Sequence, residues 1–110
     1  MSESKIKKIV IIGAGDFGRE VLWTINDCNN SSEQFQVLGF IDDDKNLKNS
    51  SVKNIPIIGN MEWLLSLNEK VGCIVAIGDS KRKYEIIKML DANGFEFPNI
   101  ISPAAKLSDD

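Results

Sequence analysis

Apolar blocks separated by polar turns recur along the chain, and this pattern predicts a series of β-strands. Lys7–Ile12 and Val71–Ile77 are rich in β-branched and other apolar residues, as is typical of central parallel strands buried on both faces. Further strands are predicted at Phe35–Ile41, Asn54–Gly59 and Phe97–Ile101. Pro56 belongs near the start of its strand or on a sheet edge, because proline cannot donate to a strand ladder.

A helix is predicted from about Phe17 to Cys28, where apolar residues recur at helical spacing along one face. This stripe consists of Phe17, Val21, Ile25 and Cys28. Polar residues that prefer turns follow at 29–32 and end the helix.

A short helix is predicted after Asn60, whose side chain can cap it. It would continue through Leu67 and bury Trp63. We interpret Trp63 and Trp23 as packing residues, with no aromatic binding site implied.

The last helix is expected to begin after the turn 78–80 and to run to about Asn93. Gly94 is well placed to stop it, because a glycine often follows the final helical turn. The segment Lys45–Lys53 is polar and predicts a surface loop.

Strands and helices alternate, which predicts an α/β fold of the Rossmann-like, doubly wound parallel type, formed as one small domain over residues 1–110. Ligands of such sheets bind beyond the carboxyl ends of the strands, where the strand order reverses. Three polar segments should meet at that edge: Gly13–Gly18, Asp42–Asp44 and the turn 78–80.

The glycine turn predicts a site for a phosphate-bearing ligand. Gly13 allows a sharp exit from the first strand, Gly15 lets backbone approach a phosphate, and Gly18 lets the helix lie close to the sheet. The first N–H groups of the helix then point at the ligand. The alternative is a structural turn without a ligand.

Acidic residues after the second strand are candidates for ribose or base recognition. Asp42, which directly follows the strand, and Asp43 are the candidates, although they lie further from Gly13 than the usual separation of ~20 residues. The alternative is a solvated acidic turn, which for Asp43 stays equally open. Asp44 is interpreted as a solvated residue. Asp79 can cap the following helix, contact the ligand, or do both.

Charges near the predicted helix starts bear on the ligand. Arg82 and Lys83 fall in the first turn of the last helix, where a cation is mildly unfavourable. A bound phosphate or other anion would explain them, and the alternative is that both are solvated side chains. Asp16 would repel a phosphate at the glycine turn. Its side chain must therefore point away, or the site disfavours a pyrophosphate in that pose.

Composition excludes several functions. The net charge is −3 without a basic tract, which argues against nucleic-acid binding. No segment has the length of a membrane span or the core of a signal peptide. The chain has no histidine, so no Ser-His or Cys-His catalytic pair can form, and neither a catalytic residue nor a metal site is assigned. Cys28 and Cys73 are expected to be reduced and packed in a cytoplasmic protein.

Several segments occur in an order that resembles a known family. They are Val10–Gly15, Gly39–Asp44, Ile55–Gly59, Val75–Asp79 and the ending Gly94–Ala105. The whole chain resembles the N-terminal domain of bacterial sugar O- and N-acyltransferases, including sialic-acid O-acetyltransferase-like proteins.

This resemblance implies a domain that holds a UDP- or dTDP-linked amino sugar and is not catalytic alone. A following left-handed β-helix of hexapeptide repeats would bind acetyl-CoA, carry a catalytic histidine and form a homotrimer. The chain stops where those repeats are expected, and this domain itself is expected to bind no cofactor. The enzyme would act in surface polysaccharide or glycan biosynthesis.

The resemblance also implies site residues. Gly13, Ala14 and Gly15 would line the nucleotide sugar, Asp42 and Asp43 would lie near its base or ribose, and Gly78 with Asp79 would close the site. The chain departs from the family at 16–18 (Asp16, Phe17 and Gly18), where Gly-His-Gly is common, and at Ser102, where histidine is common. Lys83 stands at a position that is often arginine.

Two alternatives remain open from the sequence. One is an NAD- or CoA-binding regulatory domain of a polysaccharide-biosynthesis protein. The other is a Rossmann-like scaffold that has lost its ligand and serves subunit contacts.

Overall fold

The computed structural model describes residues 7–31, 35–47 and 50–98. Their elements, in chain order, are β1 (Lys7–Ile12), α1 (Asp16–Ser31), β2 (Phe35–Ile41), a 3₁₀ turn (Lys45–Leu47), β3 (Ser51–Val52), β4 (Ile55–Gly59), α2 (Met61–Leu65), β5 (Gly72–Val75) and α3 (Ser80–Ala92).

The strands form one sheet in the order β3-β4-β2-β1-β5. β4, β2, β1 and β5 are parallel, and β3 pairs with β4 in the antiparallel direction. Ile12 at the end of β1 lies beside both Ile41 and Val75, so three strands end at the same level. The chain leaves β1 toward β2 and returns to β1's other side as β5, which creates the switch point between β1 and β5.

Alternate residues of β1 face two separate cores, as the two-residue period of a strand requires. Ile9 and Ile11 pack in the cluster that contains Leu22 and Ile25 of α1. Val10 and Ile12 pack in the other cluster, with Leu64 of α2 and with Ile86 and Leu90 of α3. The sheet is therefore covered by helices on both faces, and the predicted Rossmann-like α/β class is confirmed.

Part of the predicted stripe on α1 is not buried. Ile25 and Cys28 are in the core and Val21 is partly buried, but Phe17 is 55% exposed because it stands at the start of the helix, beyond the end of the sheet. No helix within the three described ranges is long and apolar enough to cross a membrane.

The segment predicted as a polar loop at Lys45–Lys53 contains more structure than expected. It includes the 3₁₀ turn and β3, which forms a hairpin with β4. Lys53 and Asn54 join the two strands with φ angles of 49° and 72°, as in the tight turns that suit the twist of a hairpin.

The chain after α3 differs from the predicted strand over Phe97–Ile101. Gly94 has a φ of 85° and ends α3 as predicted. Glu96 then forms a single parallel bridge with Gly72, while Phe97 and Pro98 are in no strand. Residues 99–101 of the predicted strand lie outside the described residues.

Candidate functional site at the carboxyl edge of the sheet

The turn after β1 is fixed by backbone contacts on both sides. The Gly13 N–H donates to the Ile41 carbonyl (2.8 Å), and the Ala76 N–H donates to the Ile12 carbonyl (2.8 Å). Gly13 has a φ of 105°, and a Cβ there would lie 2.6 Å from the Ala76 oxygen. Glycine is therefore required at position 13 by both conformation and space.

The other two glycines of the turn differ in their surroundings. A Cβ on Gly18 would overlap the carbonyl oxygen of Gly13, so α1 lies against the turn with only a hydrogen atom between them. A Cβ on Gly15 would meet nothing within 4 Å. The backbone at Gly15 consequently faces open space, as a close approach by a ligand requires.

Asp42 connects β2 to the glycine turn. Its Oδ2 accepts a hydrogen bond from the Ala14 N–H (2.9 Å), and its Oδ1 accepts one from the Asp44 N–H (2.9 Å). The side chain is half-buried. The predicted site residues Asp42 and Ala14 are thus in direct contact, and the carboxylate holds the shape of both turns.

Asp43 joins the same edge to the two helices on one face of the sheet. Its Oδ1 accepts from the Met61 N–H at the start of α2 (2.9 Å), and its Oδ2 lies 3.8 Å from Nη2 of Arg82 on α3. Both side chains of this ion pair are about half exposed. The cation that reaches the predicted site is therefore Arg82, while Lys83 is exposed one residue further along α3.

The turn between β5 and α3 lies beside the start of α1. Asp79 caps α3 as predicted, because its Oδ1 accepts from the N–H groups of Lys81 (3.0 Å) and Arg82 (3.2 Å). A Cβ on Gly78 would lie 2.6 Å from the ring of Phe17. Phe17 and Gly78 are thus brought together, and Asp16 supplies the first residue of α1.

Two adjacent cavities open at this edge, and Asp42–Asp44 line both. One, of about 240 Å³, is bordered by Gly13 and Arg82, with apolar walls of Ile12, Ile41, Met61, Ile77 and Ile86. The other, of about 460 Å³, is bordered by Lys45, Ile57, Ile58, Gly59, Asn60 and Trp63. The two cavities share Asp42–Asp44 as lining, and we refer to them together as the cleft.

The larger cavity contains residues that the sequence did not assign to a site. Trp63 was predicted to be buried, and this is wrong: it is 39% exposed and lines the cavity. Trp23 is also exposed, on α1. Asp44, interpreted as a solvated residue, lines both cavities. The sequence gives one indication that Trp63 belongs to the site. It follows Gly59, at the end of β4, by only four residues, which keeps it near the carboxyl edge of the sheet.

The described residues contain no cluster of three or more side chains suited to hold a metal ion. Both cysteines are buried, Cys28 in the core cluster beneath α1 and Cys73 in the cluster on the other face of the sheet. Burial raises the pKa of Cys73 from 9.0 to about 12, so this thiol stays protonated and unreactive at neutral pH.

The sequence family described as the PglD N-terminal domain matches residues 8–90, which span β1 through most of α3. The chain belongs to this family. The predicted resemblance to the N-terminal domain of sugar acyltransferases is thereby confirmed. No curated protein matches the chain in a sequence comparison.

Solved structures agree with membership of the PglD N-terminal domain family. The H141N mutant of perosamine N-acetyltransferase from Caulobacter crescentus, in complex with CoA and GDP-perosamine, is 26% identical with a TM-score of 0.72. The acetyltransferase domain of PglB from Neisseria gonorrhoeae FA1090, in complex with acetyl coenzyme A, is 28% identical with a TM-score of 0.70. The matches cover 93% and 90% of this chain but only 46% and 45% of those chains.

Proposed function

We propose that this chain is the nucleotide-sugar-binding domain of an acetyl-CoA-dependent sugar acetyltransferase of bacterial surface polysaccharide or glycan biosynthesis. The observation that carries the proposal is the pair of neighbouring cavities at the carboxyl edge of the sheet. Asp42–Asp44 line both cavities, and Asp42 is hydrogen-bonded to the glycine turn. Membership of the PglD N-terminal domain family and the GDP-perosamine held by a similar protein support this function.

The diphosphate of the ligand is assigned to the part of the cleft between the glycine turn and α3. Gly13 and Arg82 border the smaller cavity, and the open backbone of Gly15 follows Gly13 by two residues. The Arg82–Asp43 pair is long (3.8 Å) and half exposed, so separating it costs no more than about 1 kcal/mol. Arg82 can therefore turn from Asp43 to an entering phosphate.

Arg82 also offsets the negative charge of the residues that line the cleft. Three carboxylates line the cleft, and Lys45 and Arg82 are the cationic residues among its described lining. The side chain of Asp42 already receives two backbone N–H groups, which disperse its charge. A phosphate placed beside Arg82 at the N-terminal turn of α3 would gain from both the guanidinium and the helix dipole.

The remaining parts of the enzyme are assigned to a domain beyond this chain. The similar solved chains are about twice as long as the part matched here, and they are complexes with CoA or acetyl coenzyme A. We assign acetyl-CoA binding, the catalytic histidine and trimer formation to hexapeptide repeats after residue 110. This domain then presents the sugar, with no catalytic residue of its own, in a cytoplasmic enzyme.

Isothermal titration calorimetry with a panel of ligands tests this function. GDP-, UDP- and dTDP-linked amino sugars, NADH and CoA are titrated separately into the chain. At least one nucleotide sugar should bind, and should bind more tightly than NADH or CoA. Binding of NADH or CoA alone would favour a regulatory domain, and no binding by any of them would favour a scaffold. Either result would overturn the proposal.

A further inference from the structure

Trp63 is presented to the larger cavity by a set of contacts that fix its backbone and its ring. The Asn60 side chain accepts a hydrogen bond from the Trp63 N–H (2.9 Å) and caps α2. The Met61 N–H donates to Asp43, which holds the start of α2 against the end of β2. A Cβ on Gly59 would lie 2.5 Å from the indole, so the ring rests directly on the Gly59 backbone.

Part of the indole is left exposed beyond its contact with Gly59. A tryptophan that only completed a core would be covered, yet 39% of Trp63 is exposed, and it borders a cavity of about 460 Å³ with Ile57 and Ile58. Aromatic side chains at such positions stack with planar rings. The cavity also lies next to the smaller one, which the proposed function assigns to the diphosphate.

We infer that Trp63 is the stacking platform for the nucleobase of the ligand, and that the base is guanine. This inference rests on the proposed function, since it needs a nucleotide whose diphosphate lies beside Gly13 and Arg82. The base then enters the larger cavity, with its face on the indole and its edge toward Asp44 and Lys45.

The choice of guanine follows from the polar lining. Asp44 and Lys45 both line the cavity, so it offers one carboxylate and one ammonium group besides Asp42 and Asp43. Oδ1 of Asp44 accepts from the Asn46 N–H (2.9 Å), and Oδ2 accepts no hydrogen bond from the described residues. The edge of guanine carries a carbonyl oxygen beside two N–H donors, whereas uracil and thymine place one N–H between two carbonyl oxygens. The Asp44 carboxylate can accept from the two N–H donors of guanine, and the Lys45 ammonium can donate to its carbonyl oxygen.

Binding measurements on Trp63 variants test the inference. GDP, UDP, dTDP and inorganic pyrophosphate are titrated into the wild type, Trp63→Ala, Trp63→Phe and Trp23→Phe. Loss of stacking in Trp63→Ala should weaken GDP binding roughly ten- to a hundredfold, with pyrophosphate binding unchanged. Trp63→Phe should keep most of the affinity. Trp23→Phe, altered at an exposed residue of α1, is the matched control and should behave as the wild type.

A comparison of nucleotide affinities tests the assignment of guanine. The wild type should bind GDP more tightly than UDP or dTDP, and Asp44→Asn should reduce that preference while leaving pyrophosphate binding unchanged.

If nucleotides bind and Trp63→Ala has no effect, the stacking role of Trp63 is wrong while the proposed function stands. If UDP or dTDP binds as tightly as GDP, the guanine assignment is wrong. If neither pyrophosphate nor any nucleotide binds, both proposals fail. Thermal unfolding of Trp63→Ala separates loss of stacking from loss of the fold.

Discussion

The carboxylate of Asp42 accepts a hydrogen bond from the Ala14 N–H over 2.9 Å, across 28 positions of the sequence. This bond exists because β1 and β2 are parallel neighbours whose carboxyl ends lie at the same level. It joins the glycine turn to the acidic turn, the two segments on which the proposed site depends. The fold itself therefore holds the two segments of the proposed site together.

Removing the Asp42 carboxylate should destabilise the fold. Asp42→Ala leaves the N–H groups of Ala14 and Asp44 without their acceptor, and we expect a loss of about 1–3 kcal/mol in the free energy of unfolding. Asp42→Asn keeps one acceptor oxygen and should lose less. Urea denaturation measures both, with Asp91→Ala, at an exposed site on α3, as the control. Equal stability of Asp42→Ala and the wild type would contradict the structural role.

The two glycines at the start of α1 should respond differently to alanine. Alanine normally favours a helix, but at Gly18 its Cβ overlaps the Gly13 carbonyl, so Gly18→Ala should cost more than about 2 kcal/mol. Gly15→Ala meets no atom within 4 Å and should cost no more than about 1 kcal/mol as a poorer N-cap. Thermal denaturation compares them directly.

Comparing Gly15→Ala with Gly18→Ala also separates effects on ligand binding from effects on stability. If a phosphate approaches the open backbone at Gly15, Gly15→Ala should weaken nucleotide-sugar binding although the fold is retained. Wild-type affinity in Gly15→Ala would argue against that placement of the phosphate.

Arg82 and Lys83 provide a test of which cation meets the ligand. Arg82 lines the smaller cavity and pairs with Asp43, whereas Lys83 does neither. Arg82→Ala should therefore weaken pyrophosphate and nucleotide-sugar binding about tenfold or more, as expected for loss of a charge-assisted hydrogen bond. Lys83→Ala should have little effect in the same calorimetric titration. The reverse order would favour the residue that family resemblance assigns.

Asp43→Asn tests whether the Asp43 carboxylate competes with the ligand for Arg82. Its amide oxygen can still accept from Met61, but the carboxylate that competes for Arg82 is gone. Pyrophosphate should then bind more tightly than to the wild type. Weaker pyrophosphate binding would mean that Asp43 positions Arg82 instead of competing for it.

The buried thiol of Cys73 should make stability fall at high pH. Because burial raises its pKa from 9.0 to about 12, the folded protein keeps a proton that the unfolded chain loses. The stabilising effect is complete below pH 9.0 and is lost progressively as the pH rises toward about 12. The free energy of unfolding should decrease over that interval more steeply in the wild type than in Cys73→Val. Identical pH dependence of the two would contradict the assignment.

The sequence predicted the strands that apolar runs define and missed features that depend on tertiary contacts. The bounds of β1 and β2 agree with prediction because each strand is a mostly apolar run that ends in buried residues. The β3–β4 hairpin was missed because its turn, Lys53 and Asn54, adopts positive φ angles without a glycine. Its strand β3 is only two residues long.

The candidate site was predicted in its glycine turn and acidic residues, and less well in its helices. Arg82 and Lys83 are adjacent, so which one meets the cleft depends on where α3 begins and on the position of Asp43. Trp63 lies on a helix of five residues, too short for its buried face to be read from periodicity. The position of its ring depends on a tertiary contact, since the indole rests on the Gly59 backbone where a side chain would overlap it.

The most direct test of the central claim is a titration of backbone amide resonances with nucleotide sugars. Binding at the carboxyl edge should perturb Gly13–Gly18, Asp42 and Gly78, and should leave the opposite edge of the sheet, near Lys7 and Glu96, unchanged. No perturbation of the carboxyl edge by any GDP-, UDP- or dTDP-linked sugar, or perturbation by NADH alone, would contradict the account.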